Sequence, residues 1–201
     1  MTARSALALL CAAALCAGGC FGRSPRPTYY ALRADGAAAE ARPLASRPEL
    51  GLAVGPLDLP RHLDRPELVW HEGANALSLA ERARWGGGLR DEILRVVADD
   101  LGALLGTARV AVYPAEPRFA PDWRVLLDVR ELGGAPGAPV RLRARWTLAP
   151  AAPGRPPVVE ETVAEEPVPS ASAEDYVAAH GALLARLSRA IAERIAAQPV
   201  R

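Results

Sequence analysis

The sequence predicts an α+β fold: a two-layer sandwich in which an antiparallel or mixed sheet carries two long amphipathic helices on one face. Three observations predict it. Leu89 to Leu105 and the segment opened by Ser172 repeat apolar residues at helical spacing, so each needs a surface to cover. Between them, Trp123 to Leu132 and Val140 to Ala149 alternate apolar and polar residues, which gives strands one buried face. The order of strands, helix, strand, three-stranded meander and helix is satisfied most simply by packing both helices on the sheet's apolar face.

Thr28 to Arg33 (TYYALR) is aromatic and reads as the first strand. Ala34 to Pro48, rich in Ala, Arg and Pro with no period, reads as loop. Leu50 to Pro56 reads as the second strand. Pro60 and Pro66 forbid a long helix between Leu57 and Trp85. Leu68-Val69-Trp70 and Ala76 to Leu79, separated by Gly73-Ala74-Asn75, read as a hairpin. The first helix buries Leu89, Ile93, Val96, Val97, Leu101, Leu104 and Leu105 and stops at Gly106; Gly86-Gly87-Gly88 leaves its start loosely specified. Ala108 to Tyr113 is a strand stopped by Pro114.

In Val140 to Ala149, Val140, Leu142, Ala144, Trp146 and Leu148 face one way and Arg141, Arg143 and Arg145 the other. Val158 to Glu166 returns as the third strand of the meander. Its parity is open: Glu161 and Glu165 in one register, or Glu160, Thr162 and Glu166 in the other, could face the arginines. Ser172 caps the last helix, with Glu174 and Asp175 in its first turn, where the helix dipole favours anions.

The N-terminus has a different character. Arg4 precedes an apolar run from Ala6 to Leu15, which describes a secretory signal peptide too short to span a bilayer. Ala17-Gly18-Gly19-Cys20 resembles a bacterial lipobox. Residues 1–19 are then a lipoprotein signal peptide. Residues 20–27 are the lipidated Cys20 and a short tether, and residues 28–201 a single periplasmic α+β domain. A covalent lipid at Cys20, with palmitate among its acyl groups, gives two or three chains, enough for stable anchoring. Phe21 rather than Asp after that cysteine points, by the sorting rule of known lipoproteins, to the periplasmic face of the outer membrane.

Composition narrows the function. Net charge is +1, so there is no basic field for nucleic acid. All 24 basic residues are Arg. The three cysteines are Cys11, Cys16 and Cys20, so the mature domain has no disulfide and no thiolate for metal or catalysis. His62, His71 and His180 have no partner at ligand spacing, and the chain lacks a nucleophile elbow, a P-loop and a dinucleotide fingerprint. No metal site, no cofactor beyond the lipid and no enzyme activity are expected. The stripe Arg141-Arg143-Arg145 could meet lipid phosphates or an acidic partner; cross-strand pairing with Glu161 and Glu165 is the simpler use. The irregular stretch from Leu57 to Trp85 is either a binding surface or a lid on the core.

Cys20, Tyr29-Tyr30-Ala31-Leu32, Val54-Gly55-Pro56-Leu57-Asp58-Leu59-Pro60, Leu63-Asp64-Arg65-Pro66, Trp85 and Val112-Tyr113-Pro114 occur in an order and spacing that resembles the ABC-type transport auxiliary lipoproteins of the PqiC (YmbA) type. The resemblance covers nearly the whole mature chain and departs from the family at Gly86-Gly87-Gly88. It implies a lipoprotein without catalytic residues in a lipid-trafficking system that maintains the membrane. The implied partners are an MCE-domain protein that bridges the periplasm and inner-membrane transporter subunits, an ABC permease and ATPase. Self-assembly into a homo-oligomer is a further expectation. Leu63, Asp64, Arg65, Trp70 and Trp85 are the residues expected at the partner interface. Two alternatives stay open: an LptE-like lipoprotein supporting an outer-membrane β-barrel machine, and a lipid-anchored hydrolase using carboxylates.

Overall fold

The computed structural model describes residues 26–34, 43–115 and 119–198; the signal segment, Cys20 and most of the tether lie outside them. The chain runs β1 (Thr28–Tyr30), β2 (Leu52–Asp58), β3 (Glu67–Glu72), β4 (Ala76–Trp85), α1 (Leu89–Leu105), β5 (Val110–Val112), β6 (Trp123–Gly133), β7 (Val140–Pro150), β8 (Val158–Glu166) and α2 (Ala173–Ala196).

The α+β class holds, with one change: the strands form two sheets rather than one. A five-stranded mixed sheet has the order β5-β2-β6-β7-β8, and β1, β4 and β3 form a separate three-stranded sheet in the order β1-β4-β3. In the larger sheet β2 is parallel to both β5 and β6, whereas β6-β7-β8 is the antiparallel meander. β2 lies inside the sheet with a parallel neighbour on each side, and its Leu52, Ala53, Val54 and Leu57 are all buried with little alternation.

The helices cover one face of the five-stranded sheet: α1 packs on β2 and β5, α2 on β7 and β8, and the two helices pack on each other. β7 follows its sequence pattern, with Val140, Leu142, Ala144, Trp146 and Leu148 buried and Arg141, Arg143 and Arg145 exposed on the other face. In β6 a bulge between Val129 and Glu131 shifts the parity, so that Leu132 also turns inward.

The three-stranded sheet exists because β4 runs on past Leu79 to Trp85, longer than the hairpin pattern suggests. The extension gives Tyr29 and Tyr30 a partner: β1 lies parallel to it, with Tyr29 opposite Arg84 and Tyr30 opposite Trp85.

Both helix C-termini are closed by the segment before β2. The Leu44 and Ala45 amides donate to the Leu104 carbonyl and Arg47 N–H to that of Leu105. The Arg47 guanidinium donates to the carbonyls of Ile195 (3.1 Å), Ala196 (2.6 Å) and Gln198 (3.0 Å) at the end of α2. These are the acceptors a helix end leaves without an internal partner. Replacing Arg47 by Ala is expected to cost about 2 kcal/mol of unfolding free energy, since charged hydrogen bonds to half-buried carbonyls are removed together. Urea unfolding measures it, and Arg47→Lys, which lacks the fork, should recover only part.

Candidate functional site

The stretch singled out from the sequence forms one corner of the molecule, where β2 ends and α1 begins. The Leu63 and Asp64 amides donate to the Pro60 carbonyl (2.8 and 3.2 Å), closing a tight turn. That turn sends Leu63 into the core and Asp64 and Arg65 outward. Asp64 Oδ2 accepts from Arg90 Nε (3.1 Å) and from Arg90 NH2 (2.8 Å), and the same guanidinium donates to the Leu57 carbonyl. Arg65 Nε donates to Glu67 Oε2 (3.1 Å), with Arg84 3.8 Å away on the other side of that carboxylate. The Arg65 hydrogen bond holds the Glu67 carboxyl below the usual range.

Two of the recurring motifs meet beside this corner. The Val54 carbonyl accepts a hydrogen bond from the Tyr113 amide (2.9 Å), so Val54-Gly55-Pro56 and Val112-Tyr113-Pro114 lie side by side where β2 and β5 end. Gly55 has φ +109°, and a Cβ there would stand 2.9 Å from Tyr113 Cβ. Both the dihedral and the close approach require glycine.

Of the five residues expected at an interface, Asp64 and Arg65 are at the surface, Trp70 is half-buried, and Leu63 and Trp85 lie in the core of the isolated chain. The Trp85 amide donates to the Pro66 carbonyl (2.7 Å), which ties the end of β4 to the same corner. Leu57, Leu59, Leu63, Leu68 and Val69 are buried too. The excursion from Leu57 to Trp85 is thus largely part of the core, with Leu77 and Leu79 left exposed.

Two constellations escape a reading of the sequence. The first is an aromatic clasp between the small sheet and α2. Trp70 meets Tyr176 edge-on (centroids 4.4 Å), Tyr176 lies 4.4 Å from His180, and Trp85 is edge-on to His180 at 5.8 Å. The Tyr176 hydroxyl donates to the Val69 carbonyl (2.9 Å) and accepts from the Gly134 amide (3.2 Å). Burial pushes the Tyr176 phenol up to about 12 and the His180 imidazole down to about 4, the latter opposed by its bond to a carbonyl. A neutral His180 therefore donates its Nδ1 proton to the Tyr176 carbonyl at 2.8 Å. The i, i+4 spacing of Tyr176 and His180 on the apolar stripe is the signal that could have found the pair.

The second is Glu92. Buried in the first turn of α1, it accepts from the Leu32 amide (2.6 Å) with Oε2 and from the Gly87 amide (2.9 Å) with Oε1. Gly86-Gly87-Gly88 is therefore held and not loose. Gly88 has φ +84°, and a Cβ on Gly87 would come within 3.2 Å of Glu92 Oε1. Three glycines carrying no side-chain signal become a specified turn through a carboxylate that follows them.

On the opposite face of the large sheet, the register of β8 resolves the open parity. Arg141 pairs with Glu165 (3.3 Å) and Arg143 with Glu161 (3.1 Å). The other parity faces the helices: Glu160 meets Arg194 (3.2 Å), Glu166 meets Arg186, and the Thr162 hydroxyl accepts from Trp146 Nε1 (3.1 Å). The arginine stripe is thus largely neutralised, by exposed pairs that water screens and that add little to stability. Among the described residues no group of three His, Cys, Asp or Glu could hold a metal ion. No helix among them is long and apolar enough to cross a membrane.

The family model described as "ABC-type transport auxiliary lipoprotein component" matches residues 30–192. The chain belongs to this family. The match spans every element from β2 to β8 and nearly all of α2. It is a family of transport components and not of enzymes. Two solved structures share the fold. One is a crystal structure of an uncharacterized protein, 18% identical, with a TM-score of 0.67 over 85% of this chain and 99% of that one. The other is protein XCC0632 from Xanthomonas campestris, 17% identical, with a TM-score of 0.62 over 85% of this chain and 92% of that one. A search of the curated proteins finds no match.

Proposed function

We propose that this chain is a lipoprotein anchored through Cys20 to the periplasmic face of the outer membrane, where it serves as the auxiliary subunit of an MCE/ABC-type lipid transport system. It docks the periplasmic end of an MCE-domain protein and supports lipid traffic that maintains the envelope. The observation that carries the reading is the family match over residues 30–192, joined to a signal segment that ends in a lipobox-like Ala17-Gly18-Gly19-Cys20. The site chemistry supports a docking role. The corner presents Asp64, Arg65 and Arg90 in preformed ion pairs on a buried base of Leu57, Leu59 and Leu63, which suits recognition through polar complementarity. The buried titratable groups His180 and Tyr176 are engaged in packing and in hydrogen bonds to the backbone.

The test is a photoreactive amino acid at Arg65 in the full-length protein in living cells, with Arg155, in the turn between β7 and β8, as control. Crosslinks from position 65 to an MCE-domain protein are expected, together with loss of the complex in Arg65→Glu. An unchanged complex in a folded Arg65→Glu variant would remove this corner from the interface.

A further inference from the structure

The three-stranded sheet has two unlike faces. Tyr30 is opposite Trp85 and Trp70 is opposite Ser78; this face lies on the Tyr176–His180 clasp of α2. By register the other face carries Tyr29 beside Arg84 and Glu67, then Val69 beside Leu79, then His71 beside Leu77; Val69 is buried and His71 lies against Gly133 of β6, so the open part of this face is its β1 and β4 side. Three of these residues are large apolar groups left open to solvent: Tyr29 is 62% exposed, Leu77 46% and Leu79 42%. They belong to one small sheet, and none is needed by the docking corner.

The position of this face relative to the chain's start decides what covers it. Thr28, the first residue of β1, stands only eight residues after Cys20. Fully extended, that length of chain reaches at most about 28 Å. Thr28 is opposite Ala83, so Leu79 stands about 13 Å and Leu77 about 20 Å along β4 from the tether's end. Tyr29, Leu77 and Leu79 therefore lie close to the tether's end and within its reach of the bilayer. Val159 and Val163, an exposed apolar pair on the other face of the large sheet, sit instead among the paired Arg and Glu residues of β7 and β8.

We infer that the β1 and β4 side of this small sheet's outward face rests on the lipid bilayer surface, with Tyr29, Leu77 and Leu79 at the headgroup–acyl boundary. The inference rests on the lipoprotein reading above. The chemistry suits that place. Tyrosine sets an apolar ring in the boundary with its hydroxyl in the wet layer. Arg84, next to Tyr29 across the strands, is partly exposed with its guanidinium 3.8 Å from the Glu67 carboxylate, which sets a polar rim beside the apolar residues. The tether alone allows the domain to roll; a contact of this kind fixes which side faces the periplasm and points the Asp64–Arg65 corner consistently for a partner.

The mature domain has no cysteine beyond Cys20, so one introduced thiol labels uniquely. Full-length lipidated protein carrying Tyr29→Cys, Leu79→Cys or, as control, Val163→Cys is labelled with an environment-sensitive nitrobenzoxadiazole dye. It is then reconstituted into phosphatidylethanolamine–phosphatidylglycerol vesicles. Intact mass reports the acyl chains on Cys20 separately. The expected result is a blue-shifted emission at positions 29 and 79, lost for the most part to a lipid-borne nitroxide quencher and protected from iodide, with position 163 fully open to iodide. Labels at 29 and 79 that behave like 163 on acylated protein would overturn the membrane contact and leave the lipoprotein reading intact. Aqueous labels on vesicles that become iodide-protected only in native membranes would assign the face to a protein partner instead. An intact mass without acyl chains would overturn the anchor, and the contact with it.

Discussion

Replacing Asp100 by Asn is expected to stabilise the protein at neutral pH by up to about 3 kcal/mol, and to make it more sensitive to acid. Asp100 on α1 is 1% exposed, and neither of its oxygens, nor Ser188 Oγ, makes a hydrogen bond of normal geometry. Burial raises its pKa from 3.8 to about 6, the nearby Ser188 hydroxyl opposing and Asp99 adding. A raised folded-state value means that the folded form holds the proton more tightly than the unfolded chain. Relative stability from this group is therefore full below about 3.8 and is lost as pH rises through about 6.

His180 works in the other direction. Burial lowers it from 6.5 to about 4, so its contribution is full above 6.5 and is lost as pH falls toward 4. Each change is on the order of 3 kcal/mol, and over pH 4 to 6 they offset one another. The Asp100→Asn substitution removes one half of that balance. Urea unfolding of both proteins should show the variant more stable at pH 7.5 and equal to the native protein near pH 4. An Asp100→Asn variant less stable at pH 7.5 would mean that the carboxylate has a favourable partner after all.

Replacing Glu92 by Ala is expected to cost about 2–4 kcal/mol, because it leaves two N–H groups without an acceptor. The bond to Leu32 N–H is buried, and Gly87 N–H sits in the turn that begins α1. Glu92→Gln keeps one acceptor oxygen but turns an amide NH2 toward a donor, so it should recover about half. Amide exchange should accelerate first at Leu32 and Gly87, the bonds that Glu92 makes. Unchanged urea midpoints in Glu92→Ala would show that water or the backbone replaces the carboxylate.

Glu92 also shows where sequence reading stops. Local patterns place α1 at Leu89–Leu105 and β8 at Val158–Glu166, and they name Ser172 as the cap whose hydroxyl accepts from the Asp175 amide. Amphipathic period and cap chemistry act within a few residues and are visible in a single chain. The small sheet is not visible, because β1 pairs with the end of β4 far along the sequence and three residues cannot advertise a parallel partner. The parity of β8 is equally balanced in the sequence, with acidic and apolar residues on both faces. The partners that distinguish the two faces lie outside the strand: Arg186 and Arg194 of α2 meet Glu166 and Glu160, while Arg141 and Arg143 of β7 meet Glu165 and Glu161. Within the corner proposed for docking, the Leu63-Asp64-Arg65-Pro66 motif is legible as a unit. Its reason for being fixed, the grip of Arg90 on Asp64 and on the Leu57 carbonyl, needs the fold.

Whether this lipoprotein works as the docking subunit of a lipid transport assembly is tested most directly by crosslinked capture. The tagged full-length protein is recovered from membranes and the co-purifying proteins are identified by mass spectrometry. An MCE-domain protein is expected in the eluate, diminished in Arg65→Glu. Recovery of an outer-membrane β-barrel alone, or of the lipoprotein without any partner, would contradict the docking role.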